Sequence, residues 1–229
     1  LSELFPVGGG GNTSDFVASG TLPNGKPVIL KANGQVEVVA GSTSYSSTTL
    51  TTPIASTYDF STDRAEYNSV SFDPSDSTRF VICYRSGTSP RYGKAVVGTV
   101  SGESISFGTA ANFTTGVSHM DANAISFDPN QSGRFVVVYS SDQGGSSAKG
   151  FAAVGTRSGN SLTMGSEVQI NTGNLVFPSI EFDPQTSGKF LVNWGDSSNK
   201  MVVGTLSTTT LSFGTAVVIS ASYNQPNLA

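Results

Sequence analysis

The chain has 229 residues, of which only 12% are charged, and its formal net charge is −4. Its lysine and arginine residues form no cluster, which excludes the counterion-releasing surface that nucleic acid binding requires. No apolar stretch approaches the roughly 18 residues that a membrane-spanning helix needs. We therefore predict no nucleic acid partner and no membrane insertion.

Residues 1–65 are predicted to form a divergent first unit. They include a glycine-rich stretch at residues 8–11, which is typical of a flexible segment. Two apolar runs, Val28–Leu30 and Gln35–Val39, flank the dipeptide Asn33-Gly34, which is a strong hairpin signal. This pattern predicts two antiparallel strands joined by a tight turn.

A phrase that recurs three times, at a spacing of 55 residues, is the most informative feature of the sequence. It reads FDPSDSTRFVICY at residues 72–84, FDPNQSGRFVVVY at 127–139 and FDPQTSGKFLVNW at 182–194. Asp-Pro followed by small polar residues is turn chemistry, and the run after it is rich in β-branched and aromatic residues. Each phrase therefore predicts the end of one strand, a turn, and a second strand that is apolar on both faces.

Two further strands follow each phrase. The third strand reads AVVGT, AAVGT and MVVGT in successive copies, and the fourth begins SISFGT, SLTMGS and TLSFGT. No segment carries apolar residues at helical spacing. Four strands in about 50 residues are typical of a β-propeller blade, in which each sheet is buried between two neighbours. We therefore predict an all-β fold, a β-propeller-like array of four-stranded antiparallel blades.

The repeat divides the chain within a single domain. Residues 1–65 form the divergent first blade, 66–121 the second, 122–176 the third and 177–219 the fourth. Residues 220–229 match the entry to a first strand, so they begin a further blade or act as a closing strand. Three organisations stay open, namely a four-bladed ring, a fragment of a longer array, and a protomer whose sheet is completed by a neighbour's strand.

Three side chains recur with the repeat, and each has a structural and a functional interpretation. The FDP aspartate is either a turn-capping carboxylate or a calcium ligand, and the lack of neighbouring carboxylates favours the turn. Basic residues at the end of the turn are placed to pair with it, and the aromatic residue that ends the second strand is favoured as core filler over a sugar-stacking platform. These positions are Asp73, Asp128 and Asp183; Arg79, Arg134 and Lys189; and Tyr84, Tyr139 and Trp194.

No arrangement of residues predicts catalysis. Cys83 is the only cysteine and lies in an apolar strand, so we expect it to be buried. His119 is the only histidine, and its sequence neighbours Ser118 and Asp121 do not by themselves make a catalytic triad. Motifs of serine hydrolases and zinc proteases are absent. We predict no enzyme, no catalytic residue, no cofactor and no metal.

The loops that would lie on one face of a propeller vary most between copies. They cover residues 85–92, 140–148, 195–199 and 114–122. A constant frame with variable loops on one side suits recognition of a ligand. The candidate ligand contacts on this loop face are Arg85, Arg91, Tyr92, His119, Asp121, Asp142 and Asp196.

Several phrases together resemble the repeat arrays of tail-fibre and other virion proteins of marine bacteriophages. They are ASGTLPNGKPVILKANGQVEVVA, SFDPSDSTRFVICYRS, YGKAVVGTVSGESISFGTA and VVGTLSTTTLSFGTAVV, and the resemblance covers nearly the whole chain. It implies an oligomeric, β-propeller-like structural or adhesive module of a virion, and it implies no particular binding residues. The first unit departs from the pattern because it lacks the FDP motif.

The expected function is that of a tail-fibre-like virion structural and adhesion module. It would bind host-surface glycan or another virion protein and would be located on a virion or outside the cell. Its expected partners are virion proteins, copies of itself, or cell-surface glycan. The alternatives are a secreted lectin-like carbohydrate-binding propeller and a subunit of an extracellular filament, and a glycan-cleaving enzyme is the least favoured.

Overall fold

The computed structural model describes residues 17–18, 20–22, 28–38, 57–89, 91–114, 120–142 and 148–220. All regular structure in these ranges is β-strand, so they contain no helix of the length and apolar character that could cross a membrane. The chain divides into two compact units, residues 1–56 and 57–229.

The first unit contains a small three-stranded sheet. Its strands are β1 (Val17–Ala18), β2 (Val28–Leu30) and β3 (Gln35–Val38), in the order β1-β3-β2. β2 and β3 pair antiparallel, and Gly34 at their turn has a φ of 79°, which a glycine adopts without strain. The predicted Asn-Gly hairpin is therefore confirmed. β1 pairs with β3 in the parallel sense.

The second unit contains three antiparallel sheets built to one plan, one for each copy of the repeat. The first sheet comprises β4 (Ala65–Phe72), β5 (Arg79–Ser86), β6 (Gly93–Ser101), β7 (Ser104–Phe107) and β8 (Ala111–Asn112). The second comprises β9 (Met120–Phe127), β10 (Arg134–Ser141), β11 (Lys149–Ser158), β12 (Ser161–Met164) and β13 (Val168–Asn171). The third comprises β14 (Val176–Phe182), β15 (Lys189–Gly195), β16 (Asn199–Ser207), β17 (Thr210–Phe213) and β18 (Val217–Ser220). The predicted fourth strand is thus divided into two segments, and both pair with the third strand.

The three sheets pack face to face in chain order, and their first strands lie next to one another. Successive residues of a strand point to opposite faces, so the second strand of the middle sheet fills both interfaces. Phe135 and Val137 face the first sheet, and Val136 and Val138 face the third. This order of sheets makes the fold all-β and propeller-like, as the sequence predicts.

The recurring aromatic residue at the end of each second strand is a core residue. Tyr84, Tyr139 and Trp194 are all buried, which confirms the core interpretation over the sugar-stacking one. Cys83 is also buried, as predicted, and burial raises the pKa of its thiol. Successive residues of the FVICY-type run thus point to opposite faces of the sheet, which is why the run is almost entirely apolar.

A glycine in each third strand lies beneath a phenylalanine of the second strand. Gly155 pairs with Phe135, and a Cβ atom on Gly155 would lie 1.9 Å from Cζ of that ring. Gly98 with Phe80 and Gly204 with Phe190 repeat the arrangement. The glycine of the recurring VGT is therefore required, because the phenylalanine ring of the neighbouring strand occupies the space that any other side chain would need.

The FDP aspartate uses its two carboxylate oxygens for different purposes. Oδ1 caps its own turn, accepting the backbone N–H two residues on at 2.8 Å in all three copies. In Asp73 and Asp128, Oδ2 accepts a hydrogen bond from the next sheet. Asp73 Oδ2 accepts from Arg157 Nε at 2.7 Å, and Asp128 Oδ2 accepts from Gly188 N at 2.8 Å. The turn interpretation is confirmed, but the arginine that binds Asp73 comes from the neighbouring sheet rather than from the same turn.

Replacing Asp128 with alanine should destabilise the protein far more than the same change at Asp183. Asp128 is buried, and its loss leaves the Gly188 N–H without an acceptor, so we expect a loss of roughly 2–4 kcal/mol in the free energy of unfolding. Asp183 occupies the equivalent turn of the last sheet and caps only that turn, through Gln185 and Thr186. Urea denaturation of both variants measures the difference, and equal losses would contradict the inter-sheet role of Oδ2.

Candidate functional site

An exposed aromatic ring lies at the start of the first sheet, where the backbone is strained. The pairing of β4 with β5 shifts register between Glu66 and Ser69, and Tyr67 inside this bulge has a φ of 53°. A positive φ is uncommon outside glycine and costs free energy, so it often marks a functional position. The Tyr67 side chain is 46% exposed. Phe177, at the same repeat position of the third sheet, has a φ of 45° and is also exposed.

Arg85 fixes the surroundings of the Tyr67 ring. Its guanidinium carbon lies 4.7 Å from the centre of that ring, within the range of a cation–π contact. Its Nε donates to Glu66 Oε2 at 2.9 Å, and its Nη1 donates to the carbonyl of Met120 in the second sheet at 3.0 Å. Arg85 is only 7% exposed, so it positions the ring and joins two sheets.

Positive charge predominates around this ring. Arg64 forms an ion pair with Glu66 at 2.8 Å and is largely exposed. The pKa of Glu66 is lowered, chiefly by the hydrogen bond from Arg85, against an opposing effect of burial, and also by the charges of Arg64 and Arg91. The stabilisation from this carboxylate is present above the ordinary pKa of a glutamate and is lost as the pH falls through the lowered pKa. Arg64 and Arg85 thus pair with one carboxylate, and the charge of Arg91 also acts on it.

We call Arg64, Glu66, Tyr67, Arg85 and Arg91 the Tyr67 cluster. An exposed ring offers a flat apolar surface, and the arginines beside it offer planar N–H donors. Aromatic surfaces and planar N–H donors are kinds of groups that proteins use to bind saccharides, and an excess of positive charge suits an acidic one. Within the described residues, no three His, Cys, Asp or Glu side chains come together as metal ligands.

The structure brings two of the predicted contact residues into this cluster. Arg85 lies in β5 and not in a loop, because the pairing of β5 with both neighbours continues to its end. Arg91 follows that strand and is half-buried. Tyr92 is half-buried beside it, and its carbonyl accepts from Ser86 N at 2.9 Å. The role of these residues in ligand binding stays a prediction.

The other predicted contacts lie elsewhere. Asp196 accepts from Lys200 Nζ at 2.6 Å and from Ser198 N at 3.1 Å. Burial raises the pKa of Asp196, but these hydrogen bonds outweigh it, so the pKa lies below its ordinary value. Asp142 is half-buried at the end of β10. His119 lies outside the described residues, and of Asp121 only the main chain, in β9, is described.

Sequence reasoning missed Glu66 and Tyr67, which complete the cluster. Nothing in the sequence marks Tyr67 as exposed, because it stands in a strand where an aromatic residue ordinarily belongs to the core. The only signal in the sequence was the aromatic residue at the same position of the third copy, Phe177. The middle copy has Ala122 there. Large aromatic residues therefore occur there only in the two outer sheets.

Comparisons with known proteins identify no family for this chain. No family model matches the sequence, and no curated protein matches it. The crystal structure of Saccharomyces cerevisiae Sqt1 is similar over 72% of this chain and 38% of that chain, with 13% sequence identity and a TM-score of 0.49. The chain thus spans less than half the length of Sqt1. A similarity this distant assigns no function.

Proposed function

We propose that the protein is a non-enzymatic virion structural and adhesion module of the tail-fibre type, which binds host-surface glycan through the Tyr67 cluster. The observation that carries the proposal is the exposed Tyr67 ring, which stands on a strained backbone with Arg85 against the ring and Arg64 close by. A core residue would gain nothing from that strain. The phage origin rests on the resemblance of the repeat phrases alone.

The chemistry of the cluster indicates an acidic saccharide. The ring would stack on the apolar face of a sugar, and Arg64 would meet its carboxylate or sulfate. Rigid β-strands carry Glu66, Tyr67 and Arg85, so little conformational entropy is lost on binding. A secreted lectin-like propeller would use the same contacts, and it differs only in where the protein is found.

Replacing Tyr67 with alanine should weaken glycan binding about tenfold, because the stacking surface and the cation–π contact are both lost. The probe is a panel of neutral and acidic oligosaccharides, and isothermal titration calorimetry measures the affinity for those that bind. Tyr58 is also an exposed tyrosine but lies outside the cluster, so Tyr58→Ala is the matched control and should bind as the parent does.

Two results would overturn the adhesion proposal. One is saturable binding that both variants retain, and the other is the absence of binding to every oligosaccharide in the panel. The virion location needs its own measurement, which is detection of the chain in purified phage particles. Detection only in the secreted fraction of a culture would favour the lectin-like alternative.

A further inference from the structure

The outward face of the third sheet exposes apolar residues whose counterparts in the first sheet are buried. Alternate residues of β15 face the second sheet, so Leu191 and its cross-strand partner Val203 point the other way. Val203 is 50% exposed, whereas Val97, at the same repeat position of the first sheet, is 0% exposed beneath the second sheet. Leu191 and Val203, together with Glu181, line a depression of about 470 Å³ on this face. We call it the trailing face.

The outward face of the first sheet shows the complementary half of the same interface. Phe72 there is 56% exposed, whereas Phe127, at the same repeat position of the second sheet, is 4% exposed against the first sheet. The preceding segment places Phe60 on Tyr84, with ring centroids 5.1 Å apart. Phe113 makes the equivalent ring contact with Tyr139, with centroids 5.0 Å apart, inside the interface between the first and second sheets, which we call the first interface. We call this outward side of the first sheet the leading face.

Polar groups on the two faces also match. Inside the first interface, Ser69 Oγ donates to Asn123 Oδ1, and Asn123 Nδ2 donates to the carbonyl of Tyr67. The repeat spacing of 55 residues places Ser179 at the position of Ser69, and Asn68 at the position of Asn123. Ser179 lies on the trailing face, because it pairs with Asn193. Asn68 lies beside the segment that packs on the leading face.

The trailing face also holds buried polar atoms without partners. Ser179 Oγ and Asn193 Oδ1 are shielded from solvent and have no hydrogen-bond partner within the described part of the chain. Buried polar groups in proteins are nearly always hydrogen-bonded, so these two are left unsatisfied by the described part of the chain. An asparagine placed as Asn123 is in the first interface would satisfy Ser179.

We propose that a second copy of this chain docks its leading face on the trailing face, and so extends the stack of sheets from one molecule to the next. Asn68 of one copy then binds Ser179 Oγ and the Phe177 carbonyl of the other, as Asn123 binds Ser69 and Tyr67 within the chain. The second copy supplies the first sheet, whose three main strands β4, β5 and β6 have 8, 8 and 9 residues in the matching pattern. The described sheet of residues 1–56 instead has strands of 2–4 residues and a parallel pair. The argument for this contact does not rest on the glycan proposal, although Asn68 directly follows Tyr67 in the chain.

The contact is heterologous, because two different faces meet. Two copies joined at both pairs of faces bring six of these sheets together, within the range of about 4–8 blades that closed propellers have. If the rotation between copies does not close, the same contact continues into a filament. Both assemblies use the same pairs of residues, so one experiment tests them together.

Engineered cysteines test the pairing directly. A tagged Asn68→Cys chain is mixed with an untagged Ser179→Cys chain and oxidised, and disulfide-linked heterodimers are measured by non-reducing gel and mass spectrometry. The natural Cys83 is buried and leaves the background low. We expect the heterodimer to exceed either homodimer by about tenfold, because only the mixed pair brings two thiols to disulfide distance.

Three controls make the result decisive. Ser69→Cys/Asn123→Cys in one chain, with Cys83 replaced by alanine because it pairs with Ser69 across β4 and β5, should form an intrachain disulfide, which shows that this pair of positions permits the bond. Adding Val203→Asp to the Ser179→Cys chain should lower the heterodimer yield at least about tenfold, because a carboxylate would be buried in the contact. Thr163→Asp, at an exposed strand position of the middle sheet, should leave the yield unchanged.

The proposal is overturned if the mixed cysteine chains give no more heterodimer than homodimer while the intrachain control closes. It is also overturned if a single chain carrying both Asn68→Cys and Ser179→Cys closes on itself, since the faces would then meet within one molecule. Loss of glycan binding affects neither readout, so failure of the adhesion proposal is distinguished from failure of this one.

Discussion

Replacing Arg157 with leucine should lower the free energy of unfolding by about 3–5 kcal/mol, one of the two largest effects we expect from a single substitution. Arg157 is nearly buried, and its Nη2 lies 2.6 Å from Asp73 Oδ2 across the interface between the first and second sheets. The Asp73 side chain is 1% exposed, so the substitution leaves a buried carboxylate without its cation. Guanidinium denaturation at neutral pH measures the loss.

The third sheet indicates which second substitution would restore the lost stability. Leu206 occupies the position of Arg157 in the third sheet, where it belongs to the apolar core and Asp128 accepts from a backbone N–H instead. The double variant Arg157→Leu/Asp73→Asn removes both charges and keeps a side-chain oxygen to cap the turn. It should recover most of the stability, since apolar replacement of a buried ion pair is often close to neutral.

A double-mutant cycle separates this interpretation from a general packing effect. The single variants Arg157→Leu and Asp73→Asn, together with the double variant, give the coupling free energy between the two positions. We expect a coupling of at least about 1.5 kcal/mol, the upper part of the range found for residues in one ion-pair network. Strictly additive losses would show that the ion pair does not hold the sheets together.

Phe127→Ala should lower the free energy of unfolding by about 3–5 kcal/mol, whereas Phe72→Ala should lower it by less than about 1 kcal/mol. The two residues stand at the same repeat position, and each ring contacts the phenylalanine across its turn, at 5.1 Å for Phe127–Phe135 and 5.4 Å for Phe72–Phe80. They differ in burial, because a neighbouring sheet covers only Phe127. Thermal and denaturant unfolding are measured at concentrations where the chain is monomeric.

The pair of variants also reports on assembly. If the leading face becomes buried at higher protein concentration, the cost of Phe72→Ala should rise with concentration while the cost of Phe127→Ala stays constant. A large cost for Phe72→Ala in the monomer would mean that some other part of the same chain covers this face, and the head-to-tail contact would then be excluded.

The repeat unit was predictable because its signals are local. Asp-Pro with a following small residue defines a turn, and the run from Phe135 to Tyr139 has no polar residue, so it reads as a strand buried on both sides. The core role of Tyr139 followed from the same run. Fold class and the position of the second strand therefore depend on residues that are neighbours in the chain.

Features that depend on distant residues were not predictable. Asp73 and Arg157 are 84 residues apart, and nothing in either repeat copy marks them as partners. The same holds for Arg85, which was assigned to the variable loop at residues 85–92, although its strand continues and its head group reaches Met120 of another sheet. The strained backbone of Tyr67 depends on a bulge that alternating hydrophobicity does not reveal.

The first interface contains the only thiol of the chain, and this has a practical consequence. Cys83 belongs to the core between the first and second sheets, and burial suppresses the thiolate that reagents attack. A thiol reagent reaches it only when these two sheets part or the chain unfolds. The rate at which Cys83 is labelled therefore measures how often this one interface opens. The dependence of that rate on denaturant concentration separates local opening from global unfolding.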